Sequence, residues 1–157
     1  MKIEQPNTVQ YRCTQIWHAT PDQVFPLLCP VRETEWIPDW NPRLVVSKSG
    51  FMEQDCIFIE SGQFPEAIWV VNQYALNHYV EMYRILPGVT VSKFSIRLAE
   101  GAKNNTTQAE LSYAHIAISS EGNEFIKGCS NKEMETTMNH FNEAINCYLS
   151  TGKKISN

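Results

Sequence analysis

The chain has 157 residues, 43% hydrophobic and 19% charged, which suits one globular domain whose core needs no disulfide staples. A net charge of −4 and the lack of any Lys/Arg run exclude the basic stripe of a nucleic-acid-binding surface. The start, MKIEQPNTVQ, has no apolar signal core and no run is long enough to span a bilayer, so a cytoplasmic protein without integral membrane association is expected.

In chain order, VQYRCTQIWH (9–18) alternates and is rich in β-formers, the pattern of a strand. ATPDQVFPLLCP follows, with Thr20 placed to cap a helix, Pro21 at its first position and Asp22 near its positive end. Pro26 limits the regularity of this helix and Pro30 is expected to stop it. A second short helical piece is expected near 31–36, ending where Pro38 restricts Ile37. The stretch ETEWIPDWNP (33–42) then sets Trp36 and Trp40 in a proline-broken loop, either as a core plug or as a lid over a ligand. Its acids Glu33, Glu35 and Asp39 read as a solvated rim.

Six further stretches read as strands: 43–49, 56–61, 66–74, 78–86, 90–99 and 106–119. The turns between them, at Gly50, Ser61-Gly62, Asn77, Pro87-Gly88 and Gly101 to Asn105, are too short for crossover helices. Neighbouring strands must therefore run antiparallel. From residue 121 to about 150 one long helix is expected, with Met134, Met138, Phe141, Ile145 and Tyr148 forming an apolar stripe. Gly152 ends it, and residues 153–157 read as a loose tail.

The expected fold is therefore α+β. A seven-stranded antiparallel sheet curls around the C-terminal helix, two short helices lie between strands 1 and 2, and an internal cavity is left between sheet and helix. HATPDQVFPLL after the first strand, YRILPGVTVSKFSIRL, and TTQAELSYAHIAISSEG leading into the terminal helix together resemble the START-like, polyketide cyclase/dehydrase (SRPBCC, helix-grip) superfamily. The resemblance runs from about residue 9 to 152 and implies a single helix-grip domain over 1–157 that holds a small hydrophobic ligand. That superfamily shares no catalytic signature, so no active-site residue is carried over.

Strand alternation gives candidate lining residues. Leu111, Tyr113 and His115 share one face of 106–119, opposite Gln108, Glu110 and Ser112. Phe94 takes the inner face of 90–99, while 66–74 is apolar on both sides and leaves Trp69 free to point either way. In 78–86 the more apolar set, with Met82 and Arg84, is expected inward, and Tyr79 and Glu81 in solvent. Arg84 would then need a buried partner, and Glu60 is either that partner or, as the better expectation, an exposed strand end. From the helix, Met134, Met138 and Phe141 complete the candidate ligand-binding set with Trp36 and Trp40.

Tyr113 and His115 would offer a hydroxyl and an imidazole to a bound carbonyl compound, or simply be satisfied core groups. His18, His78 and His140 fall in no metal-ligand spacing, and no phosphate loop, dinucleotide fingerprint or nucleophile elbow is present, so neither metal nor cofactor is expected. Cys13, Cys29, Cys56, Cys129 and Cys147 are dispersed and read as buried thiols of a reduced compartment. Three functions remain open. They are binding or transport of a lipid, isoprenoid or polyketide-like ligand, cyclase/dehydratase chemistry by general acid/base groups in the same cavity, and a protein-interaction or chaperone-cofactor module of unknown partner.

Overall fold

The computed structural model describes Met1, Ile3 and residues 5–62 and 65–155; Lys2 and Glu4 of the opening stretch, and Ser156 and Asn157 of the expected tail, lie outside the described residues. Strand β1 (Asn7–Trp17) leads into short helix α1 (Pro21–Val24), a 3-10 turn (Phe25–Leu28) and short helix α2 (Pro30–Glu33). An antiparallel meander follows: β2 (Pro42–Val46), β3 (Ile57–Glu60), β4 (Ala67–Ala75), β5 (Tyr79–Leu86), β6 (Thr90–Glu100) and β7 (Thr107–Ala117). Helices α3 (Ser120–Lys127) and α4 (Asn131–Thr151) close the chain.

Two expectations about helices are refined. Pro30 ends the first helical run as expected, with Cys29 before it extended, but it also opens the next helix as the first residue of α2, where its missing N–H costs nothing. The long helix expected from 121 is two helices, because the chain turns at Gly128 and restarts with a capping box at Ser130 and Glu133. Gly122 lets α3 lie directly on the sheet, since a Cβ there would stand 2.0 Å from the Val89 carbonyl oxygen. The distal end of α4 follows the expected course, with Gly152 in the left-handed conformation at φ 69° and its N–H donating to the Tyr148 carbonyl.

The strand order is β1-β7-β6-β5-β4-β3-β2, so the first strand joins the last and the sheet edges are β1 and β2. Alternation decides the faces. Phe94, Ile96 and Leu98 of β6 are buried on the concave side, as are Val80, Met82, Arg84 and Leu86 of β5. The stripe of α4 fills that concavity with Met134, Met138 and Ile145 buried.

The ends of α4 are held at one flank of the sheet. Gln15 of β1 donates to the Met138 carbonyl at 2.7 Å, and Asn146 donates to the Ile16 carbonyl at 3.0 Å. The Tyr148 hydroxyl donates to Glu35, which also accepts from Arg32. Anchored at β1 and near α2, the helix leaves a gap over β3 to β7.

On the outer face Glu81 is buried rather than solvated as expected, a further correction. It accepts from Lys93 at 2.7 Å, Asn72 at 2.8 Å and the Tyr79 hydroxyl at 2.8 Å. Burial alone would raise its pKa, but these donors hold it below the usual carboxylate range. Of the five thiols only Cys29 and Cys56 are buried; Cys13, Cys129 and Cys147 keep partial exposure.

Candidate functional site

The gap between α4 and the sheet is a pocket of about 370 Å³. Its wall follows from strand register. Phe58 of β3 faces Trp69 of β4, which faces Arg84 of β5, which faces Ser92 of β6, which faces His115 of β7. One residue pair along, Met82 faces Phe94 and Phe94 faces Tyr113. Equivalent positions on successive strands point to the same side, so one row of side chains crosses five strands and faces the helix.

Most of this row is aromatic. Phe58 and Trp69 stack with centroids 5.5 Å apart at 9°, Trp40 meets Phe58 edge-on at 6.0 Å, and Phe94 lies 5.2 Å from Tyr113. Tyr113 lies 4.4 Å from the His115 ring, which meets Phe125 of α3 at 5.6 Å. Met138 and Phe141 of α4 form the opposite wall. Aromatic rings give large apolar area at little entropic cost, which suits a wall meant to be covered by a guest.

Five titratable polar groups, Glu33, Glu60, Arg84, Tyr113 and His115, interrupt this surface, with the Thr137 hydroxyl beside them donating to the Glu133 carbonyl. Arg84 donates to Glu60 through Nε at 2.9 Å and Nη2 at 3.3 Å, and the Trp69 indole N–H donates to Glu60 at 2.8 Å. Glu60 is therefore the partner of a buried cation and not the exposed strand end that was expected. Burial is the largest single effect and opposes the charge on Arg84, yet the Glu60 hydrogen bonds together with the favourable interactions with Tyr113, Glu60 and Cys129 outweigh it and raise its pKa. His115 hydrogen-bonds with Ser92 at 2.7 Å, and burial followed by the nearby Arg84 charge pushes its pKa down to about 4, so the ring is neutral at pH 7. Burial raises the Tyr113 hydroxyl, which therefore stays protonated. Glu33, expected on a solvated rim, faces the pocket from the end of α2. Burial first, and the Glu60 carboxylate second, push its pKa up to about 8.

The expected lining residues divide cleanly. Trp40, Trp69, Met82, Arg84, Phe94, Tyr113, His115, Met138 and Phe141 come together on the pocket wall. Trp36, Leu111 and Met134 do not; they are buried beside or beneath it. The two loop tryptophans thus play different parts. Trp36 is fully buried, its indole N–H donating to the Leu27 carbonyl at 2.8 Å and its ring set edge-on to Phe141 at 4.9 Å. Trp40 keeps one edge on the pocket while its N–H donates to the Pro30 carbonyl at 2.9 Å.

Sequence reasoning also missed Ile37, Phe58, Phe125, Cys129 and Thr137 on this wall. Phe125 and Cys129 were hidden inside the single long helix that was expected. The capping-box signature Ser130-x-x-Glu133 was the available signal that the helix breaks there.

A larger hollow, about 590 Å³, lies on the outer face of the sheet among Arg12, Glu81, Lys93, Arg97 and Glu110. Its lining is charged and much less apolar than that of the inner pocket, so the inner pocket is the candidate site. Among the described residues no group of His, Cys, Asp and Glu side chains is arranged to hold a metal ion.

No protein-family model matches the sequence, and no curated protein matches it. Solved structures of like fold do. A Staphylococcus aureus protein of unknown function, SA2116, superposes with a TM-score of 0.69 at 10% identity, over 94% of this chain and 97% of that one. Truncated norcoclaurine synthase from Thalictrum flavum gives 0.66 at 14% identity, over 96% and 99%. DynU16, a protein of the dynemicin biosynthetic locus, gives 0.63 at 16% identity, over 92% of this chain and 48% of that one. At these identities the likeness shows the fold: α+β, a large curled antiparallel sheet around a long C-terminal helix, as in the helix-grip fold. No helix among the described residues is long and apolar enough to cross a membrane.

Proposed function

We propose that this chain acts as one helix-grip domain that binds a small, largely aromatic or apolar molecule between sheet and α4. The observation that carries the reading is the row of rings from Trp40 to Phe125 lining a pocket of about 370 Å³. A guest that fills such a pocket covers the rings with apolar surface, gaining roughly 25 cal/mol for each Å² removed from water. The fold's kinship with norcoclaurine synthase and with a protein of a biosynthetic locus supports a natural-product-like guest over a macromolecular one.

A second reading is favoured by one specific observation. Arg84, Tyr113 and a neutral His115 converge in the same pocket. Such donors would hold the enolate oxygen of a carbonyl-rich guest, as a cyclase or dehydratase requires. The same pocket would then orient a folded chain for reaction as well as bind it.

Native mass spectrometry of freshly purified protein, followed by solvent extraction, tests the binding reading. The expected result is a non-covalent adduct of small-molecule mass, absent from a Met138→Trp variant whose larger side chain fills the pocket. A bare wild-type protein that also fails to take up any of a panel of hydrophobic dyes would end it.

A further inference from the structure

Glu33 is the polar group of the pocket that binding of a purely apolar guest leaves unexplained. Among the described residues its carboxyl accepts and donates no hydrogen bond, whereas Glu60 is held by both Arg84 and Trp69. Glu33 is half-buried, and an unpartnered carboxyl set against a ring-lined pocket is costly as an anion and costlier still in sight of a second carboxylate. Both conditions hold here, so the group keeps its proton and presents an O–H into a space walled by rings. Tyr113, whose hydroxyl likewise has no partner among the described residues, offers a second donor to the same space. Arg84 adds N–H groups that Glu60 does not use.

Donors predominate in this space: Arg84 Nη1 can only donate, the Tyr113 hydroxyl and the protonated Glu33 carboxyl are free to donate, and Glu60 already accepts from Arg84 and Trp69. Resting on the binding reading above, we propose that the guest carries a carbonyl or comparable oxygen acceptor on its aromatic body, and that protonated Glu33 is the residue that selects for it. A basic nitrogen would be the complement of an ionised Glu33, and the geometry that keeps this carboxyl protonated works against that alternative.

The proposal has a pH signature with a definite sign. Glu33 faces Glu60 of β3, Arg84 of β5, Tyr113 and His115 of β7, and Cys129 in the link between α3 and α4. Arg84, Tyr113 and Cys129 have raised pKa values and His115 is neutral above about 4, so Glu33, at about 8, is the group of this set that titrates through neutral pH. Raising pH from 6.5 to 9 removes its proton in most molecules. Affinity for an acceptor that needs this proton should fall about tenfold over that interval.

Equilibrium dialysis with three probes of one shape makes the test: 2-acetylnaphthalene, 2-ethylnaphthalene and 1-(2-naphthyl)ethylamine. The expected order at pH 6.5 is ketone over hydrocarbon over amine, with ketone affinity falling about tenfold by pH 9 and hydrocarbon affinity flat. Glu33→Gln, which keeps an N–H donor but cannot titrate, should retain ketone binding and lose the pH dependence. Glu33→Ala should abolish the preference for ketone over hydrocarbon. Ketone and hydrocarbon binding alike, or an amine that binds best and tightens as pH rises, would overturn the assignment of Glu33 while leaving the pocket in place. Failure of all three probes to bind wild type would instead overturn the binding reading and this inference with it.

Discussion

Replacing Arg84 by Met removes the cation of the pocket and keeps its aliphatic bulk, so it isolates the ion pair with Glu60. At a charge separation of about 4 Å and an effective dielectric near 20, the attraction is roughly 4 kcal/mol. Removing both ions from water costs a comparable amount, so the intact pair contributes little net stability. Breaking it is different, because Glu60 is left with the Trp69 N–H alone. Such losses are typically about 3–5 kcal/mol for fully buried pairs. The Glu60 side chain retains 24% exposure against 8% for Arg84, so water can reach it and about 2–3 kcal/mol is expected here. Urea unfolding followed by circular dichroism at pH 7.5 reads this directly as a lower midpoint at constant slope. The double variant Arg84→Met/Glu60→Gln removes the stranded charge and should return to within about 1 kcal/mol of wild type. If Arg84→Met costs less than about 0.5 kcal/mol, or the double variant loses the sum of the singles, the ion-pair account is wrong.

Gly122→Ala drives a Cβ into the Val89 carbonyl at 2.0 Å and should lower stability by about 1–3 kcal/mol, seen as a fall in melting temperature; an unchanged melting temperature would mean that α3 does not seat there. The two loop tryptophans should separate in the same assay. Trp36→Ala, which empties a fully buried site, should cost about 3–5 kcal/mol, and Trp40→Phe, which loses one hydrogen bond to Pro30, about 1 kcal/mol. Glu33→Gln should alter the pH dependence of stability. A carboxyl whose folded pKa of about 8 exceeds its unfolded value gives stability that is full below the unfolded value and declines until pH passes 8, so the variant should gain on wild type between pH 5 and 8. Parallel stability profiles for the two proteins over that range would show that Glu33 ionises freely.

Strands were legible because a half-buried strand writes its two faces into alternating residues. Phe94, Ile96 and Leu98 could be set apart from Lys93, Ser95 and Arg97 without coordinates, and the placement of Arg84 inward followed from the same rule. What resisted reading depends on register and loops. Glu60 meets Arg84 only because residue 58 pairs with 69 and 69 with 84, two registers that no local pattern fixes. Glu81 is buried on the outer face beside a register shift between Val71 and Gln73, where Asn72 and Gln73 both reach it. Glu33 and Asp39 belong to one acidic loop, yet one faces the pocket and the other lies exposed at a positive φ of 57°. Nothing in ETEWIPDWNP distinguishes them before the chain is folded. The division between Trp36 and Trp40 has the same origin, since four residues along a broken loop carry no periodicity.

The central claim, that a small apolar guest enters between sheet and helix, is tested most directly by methionine methyl resonances. Met82 and Met138 line the pocket, whereas buried Met52 and Met134 stand outside it. Titration with 2-ethylnaphthalene should shift the Met82 and Met138 methyl signals together, saturably and by ring-current amounts, and leave Met52 in place. Shifts confined to Met52, or none at a concentration where dialysis shows the hydrocarbon bound, would place the guest elsewhere and contradict the account.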